Sequence, residues 1–363
     1  MNQIVLYRQL QKVVAAGVFA LGFLPTLATA QSYFDRYGLV ANSPAVDLGI
    51  QPLGYPSGVI SAVMQHDRIL KAALAQSGQP LKTHPFRRGA DMVALLTDHR
   101  LEAGLLGDMP TILAAATASV WIVGLVKQTS TAIVAKGDTQ VRGLSGKRIG
   151  YVEASSAHHT LLQALASAGL NESRVKLVAL GVDEMPEALA RGDIDAFAAW
   201  EPAPSIALGQ SDKVRIVSRG LSTDYFVIEQ HFEKQSPEAA RHLVAGFVRA
   251  IEWMRRSQRN VEKAATWAMA DAQALSGKVG TISVAQIASI TQREILNIPS
   301  APVVLKSAGA PPLMKEFLFL SGLGKMPPGG TWDNVDAAFN YDGLAQVMAD
   351  PRKFQLTSFN YED

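Results

Sequence analysis

Short β-like runs alternate with helical stretches between residues 46 and 218, and this alternation restricts the possible folds most strongly. The pattern predicts strands at 46–51, 81–86, 101–107, 120–126, 148–154, 175–180, 194–199 and 214–218. It predicts helices at 57–76, 90–100, 110–118, 157–168, 185–191 and 202–208. Such a βαβα order is typical of an α/β fold in which helices flank a largely parallel sheet.

Two stretches share one local pattern of helix, strand, acidic residue, proline and helix. In one stretch the acidic residue and the proline lie in "LLGDMP", which ends at Pro110. In the other they lie in "AAWEP", which ends at Pro202. Two related lobes explain this likeness, although any two βαβ units also resemble each other. After Asp224 a short strand at 225–228 precedes a helical tail. Its helices are predicted at 237–255, 260–272, 284–296, 312–319 and 341–348.

Residues 1–30 have the pattern of a secretory signal peptide. An apolar run at 13–24 is followed by Ala-Thr-Ala at 28–30, the small residues that signal peptidase prefers. The run is too short to span a bilayer. We expect cleavage before Gln31. Because no cysteine can carry a lipid anchor, we also expect a periplasmic protein that is not anchored to the membrane.

Charge and cysteine content exclude several functional classes. Hydrophobic residues make up 48% of the chain and charged residues 18%, which is enough apolar surface for a folded core. Loss of Arg8 and Lys12 with the signal peptide lowers the formal net charge from +2 to zero, so nucleic acid and anionic lipid are not expected partners. Without cysteine, thiol chemistry and disulfides are excluded. We predict neither a metal nor a cofactor.

The segment "TAIVAKGDTQVRGLSGKRIGYVEASSAHHTLLQALASAGLNESRVKLVAL" resembles the central part of one group of periplasmic solute-binding proteins. This group serves ABC importers of sulfonates, taurine, nitrate and thiamine precursors. "EALARGDIDAFAAWEP" follows at the spacing of the group, and "VDLGIQ" and "LLGDMPTILAAA" match its first strand and a later turn. The resemblance runs from about Val46 to Tyr225.

This resemblance implies a type II periplasmic binding protein with two lobes, each a mostly parallel sheet flanked by helices, and a helical C-terminal region. Lobe one would comprise residues 45–131 and 225–363, and lobe two residues 132–224. The chain would cross between them at Thr131–Lys136 and Leu221–Ile228. The resemblance further implies a monomer without catalytic activity. It would capture a small anionic organic solute, above all a sulfonate, and deliver it to an inner-membrane permease.

The turn "ASSAHH" lies between a strand and the first turn of a helix. First-turn amides have no helical partner and the helix dipole favours negative charge there. Ser155, Ser156 and the small Ala157 therefore suit an anion, although either serine can also simply cap the helix. His158 matches a histidine of the family, which would contact either the ligand or the facing lobe. His159 is expected to face lobe two or solvent.

Further site residues follow from matching turns. Gly107 lets a backbone amide face the cleft, and Asp108 either caps the next helix or, facing the cleft, prefers an amine. Trp200 offers a flat apolar wall or belongs to the core, and Glu201 is the counterpart of Asp108.

Two more of the predicted site residues lie at strand ends. Gln51 can donate from its amide at the end of the first strand, and Asp224 begins the return strand. One of Arg87 and Arg88 would clamp a second acidic group of the ligand, or they are solvated surface charges.

Three functions compete. The first is the solute-binding component of an ABC importer, the second an enzyme on the same fold, and the third a sensory domain. No Ser/His/Asp order, phosphate loop or zinc spacing supports an enzyme. A permease and an ATPase as gene neighbours would indicate the first function, and a kinase or receptor the third.

Overall fold

The computed structural model describes residues 37–278, 280–296, 302–304 and 313–361. The predicted signal peptide lies outside the described residues. Within the described part of the chain, no helix combines the length and the apolar character that crossing a bilayer requires.

Eight strands form one mixed sheet in the order β2-β1-β3-β8-β4-β7-β5-β6. The strands are β1 Val46–Ile50, β2 Leu81–Pro85, β3 Ala103–Gly107, β4 Val120–Lys136, β5 Arg148–Tyr151, β6 Lys176–Ala179, β7 Ala196–Ala199 and β8 Val214–Glu229. At one end of the sheet β1 pairs in parallel with β2 and β3, and at the other end β5 pairs in parallel with β6 and β7. We call these ends, with their helices, the first and the second lobe. The predicted two-lobed α/β fold is confirmed.

The described helices flank this sheet and continue into the C-terminal region. They are α1 Ser57–His66, α2 Arg68–Gln76, α3 Ala90–Thr97, α4 Asp108–Ala115, α5 Ser156–Ser167, α6 Met185–Arg191, α7 Ala203–Gln210, α8 Gln230–Gln235, α9 Pro237–Arg256, α10 Gln258–Ser276, α11 Val284–Thr291, α12 Met314–Gly322, α13 Trp332–Ala337 and α14 Gly343–Ala349. A π-helical turn, Gln292–Leu296, extends α11.

The two long strands β4 and β8 join the lobes, and here the structure differs from the sequence prediction. We predicted separate short strands at 120–126, 214–218 and 225–228, but β4 and β8 are each continuous and pair antiparallel along their length. β4 also pairs with β7, and β8 also pairs with β3, both antiparallel. Side-chain alternation does not reveal such strands, because most of β4 and the second half of β8 are buried on both faces.

Between those pairings, residues 128–131 of β4 lie opposite residues 220–223 of β8. Both predicted crossings fall on these strands: Ala132–Ala135 pairs with β7 and Asp224–Ile228 with β3. The exact lobe boundaries stay a prediction.

The helix predicted at 57–76 is in fact two helices. Asp67 interrupts it in an extended conformation, and its carboxylate accepts hydrogen bonds from the backbone N–H groups of Ile69 and Leu70. It therefore caps α2. Asp67 is fully buried and also pairs with Arg249 of α9, with 2.8 Å between Nη2 and Oδ2. A residue far along the chain thus stabilises the break.

The C-terminal helices pack on the first lobe. One hydrophobic cluster contains Leu48 of β1, Val63 of α1, Phe226 of β8, and Phe247 and Ile251 of α9. Two smaller clusters lie on the two faces of the second lobe. Most of the tail thus covers the first-lobe part of the sheet, while Phe319 of α12 contacts His158 and His159 of the second lobe.

Candidate functional site

Three helix N-termini meet at one short segment of β8. Ser222 Oγ donates to Ser156 Oγ of α5 at 3.2 Å, and Thr223 N donates to Asp108 Oδ2 of α4 at 3.3 Å. Asp224 Oδ2 accepts from Ser57 Oγ of α1 at 2.5 Å. Each of these helix residues is the first of its helix. Three successive residues of one strand thus contact three helix starts, two from the first lobe and one from the second.

Three helix N-termini contribute partial positive charge near the segment at 222–224, beside the carboxyl groups of Asp108 and Asp224. The N-terminus of a helix carries a partial positive charge and unpaired N–H groups, and both favour an anion. Because α1, α4 and α5 begin at the carboxyl ends of β1, β3 and β5, this is the edge at which open α/β sheets bind ligands.

Lys127 adds a full positive charge at the same place, and the sequence analysis missed it. It lies opposite Asp224 in the β4–β8 register, with Nζ 3.7 Å from Asp224 Oδ1. Its side chain is only 2% exposed. The available signal was a single charge inside the otherwise uncharged run "VWIVGLVKQTSTAIVA". A charge is placed in such a strand only when it has a partner or a ligand.

Asp108 is buried beside this segment. Its Oδ1 accepts from the backbone N–H of Met109 at 2.7 Å, and Oδ2 accepts from Thr223. Burial, and second the charge of Asp224, raise the pKa of Asp108 to about 7. Asp108 is the first residue of α4, and the cap position is Gly107. Near neutral pH this carboxyl group therefore exchanges between its neutral and its charged form.

Asp224 faces Gly107 in the adjacent strand. A methyl group on Gly107 would lie 3.6 Å from Asp224 Oδ1, and the Asp224 side chain is 15% exposed. Gln51, at the end of β1, donates from Nε2 to Leu105 O at 2.7 Å and lies close to Gly89. Its amide thus ties β1 to β3 beside the site. Ligand contact by Gln51 stays a prediction.

The two serines at the start of α5 have different contacts. Ser155 is the N-cap: its Oγ accepts from His158 N at 3.1 Å and donates to Val152 O at 2.7 Å. Ser156 instead points to Ser222 of β8. The N–H groups of Ser156 and Ala157 precede the first hydrogen bond of the helix, from His159 N to Ser155 O. Ser155 thus caps α5, whereas the backbone N–H groups that suit an anion belong to Ser156 and Ala157.

The two histidines lie against α12. The ring of His158 lies 4.7 Å from that of Tyr151 and 5.7 Å from that of Phe319. Its Nδ1 accepts from Ala154 N, and burial lowers its pKa. The ring of His159 lies 4.5 Å from that of Phe319. The expectation that His159 faces lobe two or solvent is therefore wrong, because α12 covers this face of α5.

Trp200 and Glu201 contact the first lobe directly. A methyl group on Gly54 would lie 3.3 Å from Trp200 Nε1, and Tyr55 N donates to Glu201 O at 3.0 Å. The Glu201 carboxylate accepts from Arg293 of the π-helical turn at 2.9 Å and from Ser205 N. These residues hold the two lobes together at one side of the site. Within the described part of the chain, residues 222–224 take no part in these contacts.

The two arginines of the β2–α3 turn pair with protein carboxylates. Arg87 Nη1 lies 3.2 Å from Asp183 of the second lobe, and Arg88 Nη2 lies 2.6 Å from Asp91 in the first turn of α3. Arg87 therefore fits neither expected alternative completely. It pairs with an acidic group, but that group belongs to the protein and not to a ligand.

Sequence comparison places the chain in a family. The profile of the NMT1-like family matches residues 71–269, which is more than half of the chain. The chain belongs to the NMT1-like family. The matched region includes β3 to β8, and thus Asp108, Lys127, Ser156 and Asp224 of the site.

Two curated relatives of this NMT1-like protein come from Escherichia coli (strain K12). The taurine-binding periplasmic protein is 30% identical over 176 residues, which is 46% of this chain and 55% of the relative. A protein named for aliphatic sulfonate binding is 27% identical over 218 residues, 57% of this chain and 67% of the relative. The chain thus covers little more than half of the taurine-binding protein.

Solved structures agree on the fold of this NMT1-like protein. The alkanesulfonate-binding protein SsuA from Xanthomonas axonopodis pv. citri matches with a TM-score of 0.60 and 21% identity, covering 83% of this chain and 99% of its own. The periplasmic nitrate-binding protein NrtA from Synechocystis PCC 6803 matches with a TM-score of 0.63 and 12% identity, covering 89% and 94%. The desulfurization enzyme DSZB reaches 0.59 at 15% identity, covering 85% and 99%. One fold therefore serves both binding and catalysis.

Proposed function

We propose that this protein is the solute-binding component of an ABC importer and that it captures a small organic sulfonate between its lobes. The observation that carries this proposal is the meeting of three helix N-termini and the buried Lys127 at residues 222–224 of β8. The names of the two curated relatives support the same solute class.

The second lobe would hold the sulfonate group. Here α5 offers the backbone N–H groups of Ser156 and Ala157 and the hydroxyl group of Ser156. None of these groups carries a negative charge. Lys127, a cation, lies nearby on β4, which joins the two lobes. Hydrogen bonds to a charged group contribute about 1.5–3 kcal/mol each, so a few such donors give useful affinity.

The first lobe would hold an amino group. Asp224 is partly exposed beside Gly107, and Asp108 lies next to it. The Asp224 carboxylate would repel a ligand that carries only negative charge, whereas an ammonium group would pair with it. A short aminosulfonate such as taurine has both charged ends, and we propose this class as the solute.

Isothermal titration calorimetry with a small panel of solutes tests this proposal. We expect taurine to bind best, ethanesulfonate to bind more weakly by about tenfold or more, and β-alanine and nitrate to bind least. Taurine and ethanesulfonate differ only in the amino group, so their ratio measures the contribution of the first lobe. Binding of none of the four, by a protein with a cooperative melting transition, would overturn the proposal.

We also propose that the protein is exported, loses residues 1–30, works as a monomer in the periplasm and delivers its solute to an inner-membrane permease. The pattern at 13–30 of the sequence supports export. Intact-mass analysis of periplasmic extract should find a chain that begins at Gln31. A mature chain that retains the apolar run at 13–24 would contradict export with cleavage.

We propose a binding function rather than catalysis. The DSZB structure shows that this fold also serves an enzyme, but its identity of 15% supports the fold alone. The two curated relatives reported above are named as binding proteins. Proton NMR of taurine incubated with the protein should show bound taurine released unchanged. Sulfite or a new organic product would instead support the enzyme alternative.

A further inference from the structure

An apolar cavity of about 200 Å³ lies between the lobes, apart from the site at 222–224. We call it the inter-lobe cavity. Leu53, Met269 and Ile282 line it from the first lobe, and Val182, Pro186 and Ile206 line it from the second. Ten residues were predicted as ligand contacts from the sequence, and none of them is among the described residues that line this cavity.

Direct contacts between the lobes separate the inter-lobe cavity from the proposed sulfonate site. Tyr55 and Pro202 belong to the cavity wall. Their chain neighbours Gly54 and Glu201 take part in the contacts between lobes, with Gly54 against the Trp200 indole and Tyr55 N bonded to Glu201 O. Because both contacts involve segments that border the cavity, we consider the cavity separate from the proposed sulfonate site.

The rim of the inter-lobe cavity is held in place by polar contacts. Arg87 donates to Asp183 at 3.2 Å and to Leu275 O at 3.4 Å, and so links α10 to the second lobe. Asp183 belongs to the cavity lining, as do the exposed Lys278 and Gly280. The cavity therefore has an apolar interior and an opening toward solvent.

We propose that the inter-lobe cavity binds an uncharged aromatic ring or a short alkyl chain. An apolar cavity of about 150 Å³ is known to remain dry and to bind benzene, and the inter-lobe cavity is slightly larger. Most of its lining surface is apolar. Of its charged lining residues, Asp183 pairs with Arg87, Glu187 pairs with Arg191, and Lys278 is exposed at the rim. A charged group would lose its hydration in the apolar interior, where the lining carboxylates already have arginine partners. Because both lobes supply walls, a bound ring also favours the arrangement in which the lobes are in contact.

Fluorine NMR with 4-fluorotoluene as the probe tests this proposal. We expect its signal to broaden in the presence of wild-type protein and to recover when toluene is added as a competitor. We expect excess taurine to leave the probe bound, because the two sites are separate. Displacement of the probe by taurine, or no broadening with the wild type, would overturn the proposal.

A matched pair of variants places the probe in the cavity. Ala272 of α10 lines it, whereas Ala274 of the same helix is exposed and outside it. Ala272→Phe should weaken 4-fluorotoluene binding at least about tenfold, and Ala274→Phe should leave it unchanged. If Ala272→Phe does not fold, the smaller Ala272→Leu should still weaken binding several-fold. Equal binding by the Ala272 and Ala274 variants would show that the probe binds elsewhere.

Discussion

The turns that follow β3 and β7 share one sequence pattern, in which a strand leads to an acidic residue, a proline and a helix, yet their charges have different surroundings. Asp108 accepts only from backbone N–H groups among its described contacts, and its pKa is raised to about 7. Glu201 pairs with Arg293, which is 92 positions away in the chain. The pattern thus predicts a local turn, but a distant residue decides how its carboxyl group is stabilised.

The same contrast holds for the lobes as a whole. At the β8 segment the first lobe presents the carboxyl group of Asp108 beside Asp224 of the strand itself, and the second lobe presents the hydroxyl group of Ser156. This difference gives the proposed solute an orientation, with its ammonium group toward the first lobe and its sulfonate group toward α5. The predictions that follow test this contrast, from the largest expected effect to the smallest.

The largest effect should come from Asp108 and depend on pH. Its folded-state pKa of about 7 is above the ordinary value of 3.8, so the unfolded chain releases this proton first as pH rises. Between about pH 4 and pH 7 the wild type should therefore lose on the order of 4 kcal/mol more stability than Asp108→Asn does. Urea unfolding of both proteins from pH 4 to pH 8 measures the difference.

Glu102 serves as an internal reference for that experiment. Burial raises its pKa to about 8, and it is present in both proteins, so its contribution cancels in their difference. Parallel pH profiles for the wild type and Asp108→Asn would show that Asp108 is not the group responsible.

The next effect concerns solute selection by Asp224. Asp224→Asn removes a charge that we assign to the ammonium group, so taurine affinity should fall about 10- to 100-fold. Ethanesulfonate has no ammonium group, and its affinity should stay the same or rise because a negative charge is lost. Calorimetry with both solutes gives the ratio. An equal loss for both would mean that Asp224 supports the site without contacting the amino group.

The neighbouring serines of α5 should separate binding from stability. Ser156→Ala should weaken taurine binding by about 1–3 kcal/mol with little change in melting of the empty protein. Ser155→Ala removes the cap of α5 and should instead lower stability by about 1 kcal/mol. Calorimetry and thermal melting of both variants give the two quantities. If Ser155→Ala weakens binding as strongly as Ser156→Ala does, the assignment of roles is wrong.

The smallest effect should come from the ion pair between Arg293 and Glu201. The Arg293 side chain is 51% exposed, so solvent screens the pair, and Arg293→Gln should lower stability by about 0.5–1 kcal/mol. Arg191→Gln is the matched control, because its partners Glu187 and Asp193 both lie within four residues of it in the chain. Small-angle scattering without solute should show a larger radius of gyration for Arg293→Gln only. Identical radii would mean that this pair does not hold the lobes together.

Local periodicity in the sequence was enough to predict most of the secondary structure. Residues that are close in the chain determine the alternation of strands and helices and the helical tail. They also determine the helix starts at Ser57 and near Ser156. The family resemblance led to the two-lobed fold and to the turns that contain Asp108, Ser156 and Glu201. Turn chemistry of this kind is local, because a cap and its helix are at most a few residues apart.

Only the tertiary structure decided which groups meet. Contacts between residues far apart in the chain make β4 and β8 continuous. Such contacts also pair Lys127 with Asp224 and place His159 against Phe319. Asp67 interrupts a run with helical periodicity, where its carboxylate caps α2 and pairs with the buried Arg249. Burial and charge in a folded protein depend on such distant neighbours, so the raised pKa of Asp108 follows from the packing and not from the turn that contains it.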